Sequence, residues 1–148
     1  RSRLTVEITE SGLIEDVDNA TALLTALRAE GLAVAVDDFG TGYSSLAYLR
    51  KLDATRLKID RSFVADMVED AEARAIVASM VGMARALGLK VTAEGVERAA
   101  QADVLRDLGC DDVQGYYFAP PLAEAALLSR LPEWQHGFNP ASAPDRTA

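Results

Sequence analysis

The feature that most constrains the fold of this chain is a regular alternation of strand-like and helix-like segments. The strand-like segments are LTVEIT at 4–9, LAVAVD at 32–37, ATRLKID at 54–60, LKVTAE at 89–94 and DDVQGYY at 111–117. Helical periodicity follows at 18–30, 44–52, 71–87, 98–108 and 122–131. Strict alternation predicts parallel strands joined by right-handed crossovers, in an open doubly wound sheet or in a barrel. The continuous apolar character of the strands predicts that both of their faces are covered.

Polar residues near the strand ends favour the barrel. They fall in five different strand segments, at successive separations of 30, 21, 36 and 20 residues: Glu7, Asp37, Lys58, Glu94 and Gln114. A barrel brings the carboxyl ends of all its strands to one mouth, whereas an open sheet spreads them along an edge. A complete barrel takes about 250 residues. The chain of 148 residues therefore predicts an incomplete TIM-type (β/α) barrel of about five βα units, with its N-terminal strands missing.

Composition limits the class of protein, its partners and its location. Apolar residues make up 49% of the chain and charged residues 26%, which predicts one globular domain over residues 1–131. The stretch 132–148 carries three of the five prolines and no periodic pattern, so it predicts a flexible tail. The net charge of -8 argues against long nucleic acids as partners. No membrane segment or signal peptide is recognisable, so we expect a cytoplasmic protein in which the single Cys110 is a half-buried, unreactive thiol.

The residues at the strand ends are those of a metal site. Carboxylates that converge without partners repel one another, so a cation is expected among them. Oxygen donors with no convergent His or Cys favour Mg²⁺ or Mn²⁺ over zinc. The adjacent Asp37 and Asp38 suit a bridging role between two ions about 4 Å apart, which would clamp the attacking and leaving oxygens of a phosphoryl displacement.

Each of these residues also has a plainer interpretation. Glu7 fits a solvated strand position or a helix cap, and Glu94 fits a cap of the next helix. Asp37 and Asp38 fit a turn before the glycine that follows. Lys58 fits a surface lysine paired with a neighbouring carboxylate. The shared position of these residues at strand ends is what favours a common site.

Several segments together resemble the later part of EAL domains, the cyclic di-GMP phosphodiesterases of bacterial second-messenger signalling. They are VEITES, AVDDFGTGYSSLAYLRKLDATRLKIDRSFV, VTAEGVE and QGYYFAPPL, and the match runs over about residues 4–131. The resemblance implies a barrel that hydrolyses one phosphodiester of cyclic di-GMP to linear pGpG, with two Mg²⁺ or Mn²⁺ ions. It also implies cyclic di-GMP as the small-molecule partner, and a homodimer, because members of the family often pair.

The same resemblance implies roles for individual residues. Glu7, Asp37, Asp38 and Glu94 are similar to the metal-site residues of the family, with Asp37 bridging the ions. Lys58 corresponds to the lysine that orients the attacking water and offsets negative charge. Glu94 corresponds to a glutamate that is either the general base or a ligand of the second metal.

Two further residues are assigned by motif, and part of the family pattern has no counterpart. Gln114 of QGYY would line the mouth as a substrate-binding residue, and Glu97 would hold the DFGTGYSS loop in its active geometry. The glutamate of the EAL signature, its neighbouring arginine and the asparagine of the next strand are absent. We therefore expect little phosphodiesterase activity from the chain alone. The alternative function is a non-catalytic cyclic di-GMP-binding or dimerisation module.

Overall fold

The computed structural model describes residues 4–15, 17–41 and 49–134. In chain order the elements are β1 (Thr5–Thr9), α1 (Glu10–Glu15), α2 (Val17–Ala29), β2 (Ala33–Phe39), β3 (Arg56–Ile59), α3 (Arg61–Ala65), α4 (Ala71–Ala86), β4 (Lys90–Ala93), α5 (Ala99–Leu108), β5 (Asp112–Val113) and α6 (Glu124–Trp134). None of the described helices is both long and apolar enough to cross a membrane.

The described strands form one parallel sheet in the spatial order β1-β2-β3-β4-β5. Spatial order thus follows chain order, without the reversal that marks an open doubly wound sheet. Successive parallel neighbours joined by helical crossovers are the arrangement of a (β/α) barrel. The prediction of a partial barrel is confirmed, with β1 and β5 at the two ends of the described sheet.

The two faces of the sheet differ in chemistry. The face covered by helices carries apolar side chains that are at most 1% exposed: Val34, Val36, Leu57, Ile59 and Val91. The opposite face is polar on β3 and β4, where the register pairs Arg56 with Lys90 and Lys58 with Thr92. The prediction that both strand faces are covered holds for the inner positions of β3 and β4, where Lys58 and Thr92 are each 6% exposed, although the residues on this second face are polar.

Helix ends follow local signals in the sequence. Asp70 precedes α4 and accepts a hydrogen bond from the backbone N–H of Glu72 at 2.8 Å. Helix α5 ends at Gly109, which has the left-handed conformation with φ 88°. Both helices lie within one residue of the predicted ranges. Helix α3 was not predicted, although Asp60 caps it by accepting from the backbone N–H of Ser62 at 3.0 Å.

The end of the chain departs from prediction in two places. A strand was predicted over 111–117, but β5 comprises Asp112 and Val113 alone, because Gly115 lies directly against the backbone of Val96 and the chain turns there. Helix α6 continues to Trp134, beyond the predicted end of the domain at residue 131. The rest of the predicted tail lies outside the described residues. Residues 42–48, which include the first part of the predicted helix 44–52, also lie outside them.

Candidate functional site

Lys58 lies at the centre of the polar face, at the carboxyl ends of the strands. Its ammonium Nζ is 2.8 Å from Glu7 Oε2, 2.8 Å from Glu94 Oε1 and 3.0 Å from Asp37 Oδ1. These partners come from β1, from the residue after β4 and from β2. The side chain of Lys58 is 7% exposed, so the ammonium is held by protein groups rather than by bulk water. The structure thus brings four of the five predicted strand-end residues into one cluster.

The protonation state of Lys58 follows from these contacts. Burial by itself lowers the pKa of the ammonium, but the hydrogen bonds to Glu7, Glu94 and Asp37 outweigh it and raise the pKa above its usual value. Lys58 is therefore a cation at neutral pH. It can neutralise charge and donate hydrogen bonds, but it cannot accept a proton.

The end of β2 presents two carboxylates by means of an unusual backbone conformation. Asp38 has φ 54°, in the left-handed region that Asp tolerates better than most residues. Its backbone N–H donates to Asp37 Oδ1 at 3.0 Å, and its carbonyl accepts from the Thr41 hydroxyl at 2.8 Å. The tight turn directs both side chains to the same end of the sheet. The turn interpretation of this pair and the site interpretation therefore describe the same geometry.

The carboxylates of the cluster can hold a cation. Asp37, Asp38 and Glu94 each offer one oxygen, and these oxygens lie within 4.8 Å of one another. Carboxylate oxygens at this separation fit the donor set of Mg²⁺ or Mn²⁺. Glu7 does not belong to this group of three, and it is connected to the group by its ion pair with Lys58. One ammonium against four carboxylates leaves excess negative charge, most of which a divalent cation would offset.

Gln114 orients one of these carboxylates. Its Nε2 donates to Glu94 Oε1 at 2.9 Å, so this oxygen receives hydrogen bonds from both Lys58 and Gln114. Beside it a cleft of about 440 Å³ opens, lined among others by Arg61, Gly95 and Tyr116. Gln114 thus contacts the cluster and borders the adjacent cleft at the same time.

Sequence reasoning missed Glu10, the second glutamate of VEITES. Glu10 is 1% exposed, and its Oε2 accepts a hydrogen bond from the backbone N–H of Gly40 at 2.8 Å. It therefore fixes the chain two residues after Asp38. The signal in the sequence was an acidic residue in the first turn of a helix directly after a strand. Its Oε1 is buried without a hydrogen-bond partner among the described residues.

The predicted role of Glu97 in holding the loop after Asp38 stays a prediction. Residues 42–48 of that loop lie outside the described residues, and the Glu97 side chain is exposed. Within the described part of the chain, the carboxylate that bonds this segment is that of Glu10. The backbone N–H of Glu97 donates to Gln101 Oε1 at 2.8 Å.

A second polar layer lies two residues below the first. Arg56 Nη1 donates to Thr92 Oγ1 and to Asp112 Oδ2, which joins β3, β4 and β5. These residues stand two positions before Lys58, Glu94 and Gln114 respectively. The lower layer therefore fixes the spacing of the same strands that carry the upper cluster.

The single cysteine is as unreactive as predicted. Cys110 is half-buried, and burial, with a smaller contribution from Asp111, raises the pKa of its thiol to about 11. A thiol with this pKa is protonated at neutral pH and is a poor nucleophile.

Comparisons with known proteins identify relatives of the chain. A model of the EAL domain matches residues 1–121. The bifunctional diguanylate cyclase/cyclic di-GMP phosphodiesterase MucR of Pseudomonas aeruginosa is 44% identical over 130 residues, which cover 88% of this chain and 19% of that protein. The PaMucR phosphodiesterase in its c-di-GMP complex superposes with a TM-score of 0.80 at 44% identity, covering 84% of this chain and 50% of that chain. Klebsiella pneumoniae BlrP1, in a manganese/cy-diGMP complex, gives a TM-score of 0.73 at 38% identity, covering 79% and 30%. The chain thus spans half or less of each of these relatives.

Proposed function

The chain belongs to the EAL domain family, and on this premise we propose that it supplies the later strands of a metal-dependent site that hydrolyses cyclic di-GMP to linear pGpG. The observation that carries the proposal is the contact of the Lys58 ammonium with Glu7, Asp37 and Glu94. These side chains lie at the strand ends where enzymes with this architecture carry out their chemistry. The MucR and BlrP1 structures, which contain the cyclic dinucleotide, support the choice of substrate.

The proposed metal ligands are carboxylates of this chain. Asp37, Asp38 and Glu94 would hold a divalent cation, with Glu7 as a further ligand and Asp37 bridging to a second ion. The manganese in the BlrP1 complex supports a cation of this class. When bound, such a cation lowers the pKa of water and neutralises charge on the phosphate.

The remaining groups position the reactants. In the proposed reaction, water attacks the phosphorus of one phosphodiester and the bond from phosphorus to the 3′ oxygen breaks, which leaves a 5′-phosphate and a 3′-hydroxyl. Glu94 accepts the proton of the attacking water, and the departing 3′ oxygen takes a proton from solvent. Lys58 stays protonated, so it orients the water and offsets negative charge. Gln114 holds the Glu94 carboxylate and borders the cleft beside it.

We also propose that the 148 residues alone have little activity. The described sheet ends at β1 on one side and at β5 on the other, and the chain covers 50% of the PaMucR structure. Substrate bound at the strand ends would therefore meet protein on only part of its surface. Turnover by the isolated chain comparable to that of the same chain preceded by the upstream strands of an EAL domain would contradict this proposal.

A homodimer is the remaining part of the proposal. An open apolar groove of about 740 Å³ runs along helix α4, lined among others by Ile76, Met80 and Met83. Phe39, which directly follows Asp38, also lines it, so the groove is continuous with the turn that carries the carboxylates. A second copy would cover Ile76, which is 47% exposed. Light scattering on wild type and on Ile76→Asp tests this proposal. We expect a dimer for wild type and a monomer for the variant, and a wild-type protein that is monomeric at all concentrations would contradict it.

The decisive experiment uses this chain with the upstream strands of an EAL domain placed before it. Hydrolysis of cyclic di-GMP is followed by chromatography with Mn²⁺, with Mg²⁺ and with chelator, for wild type, Asp37→Asn and the matched surface control Asp53→Asn. We expect metal-dependent release of pGpG by wild type and by the control, and at least a 100-fold loss in Asp37→Asn. Equal activity in all three proteins would overturn the proposed site. Binding without turnover in wild type would favour the alternative function as a binding module.

A further inference from the structure

Gln101, in the first turn of helix α5, is a buried polar residue with four hydrogen bonds. It is 3% exposed. Its Oε1 accepts from the backbone N–H groups of Glu97 at 2.8 Å and of Arg98 at 2.9 Å. Its Nε2 donates to the carbonyls of Val64 at 3.1 Å and of Ala65 at 3.2 Å. A side-chain amide has two acceptor sites and two donor hydrogens, so its whole hydrogen-bonding capacity is used.

The four bonds join two segments that directly follow the strands of Lys58 and Glu94 in the chain. Glu97 and Arg98 end the loop that begins at Glu94, directly after β4. Val64 and Ala65 end helix α3, which begins three residues after Lys58. Gln101 therefore connects the segment after Lys58 to the segment after Glu94.

The loop has little freedom elsewhere. Gly95 has φ +68° and lies so close to Arg61 of α3 that a Cβ would overlap that side chain. On the other side, the backbone N–H of Val96 donates to the carbonyl of Gln114 at 3.1 Å, and the Val96 carbonyl accepts from the N–H of Tyr117 at 2.9 Å. The loop is thus packed between α3 and the segment after β5. Gln101 supplies the side-chain hydrogen bonds that connect the loop to α3.

A second tie on this side is exposed. Arg98 Nη2 is 3.0 Å from Glu69 Oε2 and 3.3 Å from the carbonyl of Ala65. Arg98 Nη1 also donates to Glu69 Oε1, so the pair is bidentate, but the two side chains are 48% and 61% exposed and solvent screens their attraction. The amide of Gln101 is therefore the polar link between the loop and α3 that is shielded from solvent.

We propose that Gln101 is a positioning residue, which sets Glu94 against Lys58 and the bound cation by fixing the loop after β4 to helix α3. This inference rests on the proposed function. Glu94 Oε1 lies 2.8 Å from Lys58 Nζ and 2.9 Å from Gln114 Nε2, and such contacts tolerate little displacement. Loss of the amide leaves the N–H groups of Glu97 and Arg98 without this acceptor and the buried Val64 carbonyl without this donor, so the loop and α3 separate to let water reach them.

The test uses two variants and one control in the chain that is extended by the upstream strands of an EAL domain. Gln101→Leu removes all four bonds. Gln101→Glu keeps two acceptors for Glu97 and Arg98 but places a carboxylate against the carbonyls of Val64 and Ala65. Leu105→Val alters a fully buried residue of the same helix that faces the core, and it serves as the control for loss of stability.

The first readout is Mn²⁺ binding measured by electron paramagnetic resonance, with no substrate present. Removal of a residue that holds a metal ligand in position typically lowers the affinity for the metal by 10- to 100-fold. We expect the half-saturating Mn²⁺ concentration to rise about 10-fold in both Gln101 variants and to stay at the wild-type value in Leu105→Val. A rise of less than about threefold in the Gln101 variants, or an equal rise in the control, would overturn the proposal.

The second readout requires no variant. Because coupling between two sites is reciprocal, Mg²⁺ that is held by Glu94 should slow deuterium exchange in the peptide over residues 95–100 of the wild-type protein. Unchanged exchange at saturating Mg²⁺ would overturn the positioning role even where the variants fail to fold. A wild-type protein that binds no Mn²⁺ would instead overturn the proposed function, so the two failures are distinguishable.

Discussion

Lys58 Nζ and Glu94 Oε1 lie 2.8 Å apart, although 36 residues separate them in the chain. Lys58 lies near the end of β3 and Glu94 directly follows β4, and the register of these parallel neighbours brings their carboxyl ends to one edge. The same ammonium also contacts Glu7 and Asp37. One lysine therefore holds together carboxylates from three other strands, which would otherwise repel one another.

Replacement of this lysine tests its double role in stability and hydrolysis. Lys58→Met keeps the length of the side chain but leaves three carboxylates without their cation. Because the carboxylates are partly exposed, we expect a loss of about 1–3 kcal/mol in the free energy of unfolding. We expect hydrolysis of cyclic di-GMP to fall by at least 100-fold. Urea denaturation and the chromatographic assay measure the two effects, and the exposed Lys51→Met should change neither.

The stability contributed by Lys58 should depend on pH in the alkaline range. Its folded pKa lies above the value of about 10.4 for an unfolded lysine, so the folded state binds the proton more tightly. The contribution is then fully present below about pH 10.4 and is lost as the pH rises toward the folded pKa. The difference in unfolding free energy between wild type and Lys58→Met should be constant from about pH 8 to 10 and shrink above it. A difference that grows above that range would contradict the contacts described here.

The position of this cluster could be predicted from the sequence because the strands can be recognised from local patterns, and their parallel arrangement then determines where the strand ends lie. Residues near the ends of successive parallel strands must meet at one edge. Glu7, Asp37, Lys58 and Glu94 could therefore be predicted from spacing and polarity, before any tertiary contact was known. The fold class followed from the same reasoning.

The residues that the sequence did not reveal act through tertiary contacts. Glu10 is buried by packing against a turn 30 residues away, and Gln101 bonds carbonyls 36 and 37 residues away. No periodicity encodes such pairs. The length of β5 was overestimated for a related reason, because the close approach of Gly115 to Val96 ends the strand. The apolar residues in the predicted strand 111–117 gave no indication of that contact.

Two glycines with similar backbone conformations but different surroundings provide a matched comparison. Gly95 has φ +68° and Gly31 has φ +82°, so an alanine is strained at either position, at about 1 kcal/mol. A Cβ at Gly31 meets nothing within 4 Å, whereas at Gly95 it overlaps Arg61. We expect Gly31→Ala to lower stability and leave hydrolysis unchanged. Gly95→Ala should in addition displace Glu94 and lower kcat by at least 10-fold, and equal kcat in the two variants would contradict this.

The lower polar layer should determine how firmly β5 is held. Arg56 bonds Thr92 and Asp112, and β5 has only two residues in the sheet. Arg56→Met removes both bonds, so we expect faster deuterium exchange in the peptide over residues 111–116. The cost should be about 1–2 kcal/mol in unfolding free energy, because Arg56 is partly buried. Arg106→Met is the control, since its pair with Asp103 is exposed on a helix, and it should leave that exchange unchanged.

Glu10 offers a test of how the turn after β2 is held. Its Oε2 accepts from the backbone N–H of Gly40, two residues after Asp38, and Gly40 itself has φ +97°. Glu10→Ala leaves that N–H without its acceptor, at a cost of about 1–3 kcal/mol, and releases the turn that presents Asp37 and Asp38. Glu10→Gln keeps an acceptor oxygen at the same position. We therefore expect the half-saturating Mn²⁺ concentration, measured by electron paramagnetic resonance, to rise about 10-fold in the alanine variant and by less in the glutamine variant. Wild-type Mn²⁺ affinity in Glu10→Ala would contradict the assignment, because the turn would then keep its geometry without this bond.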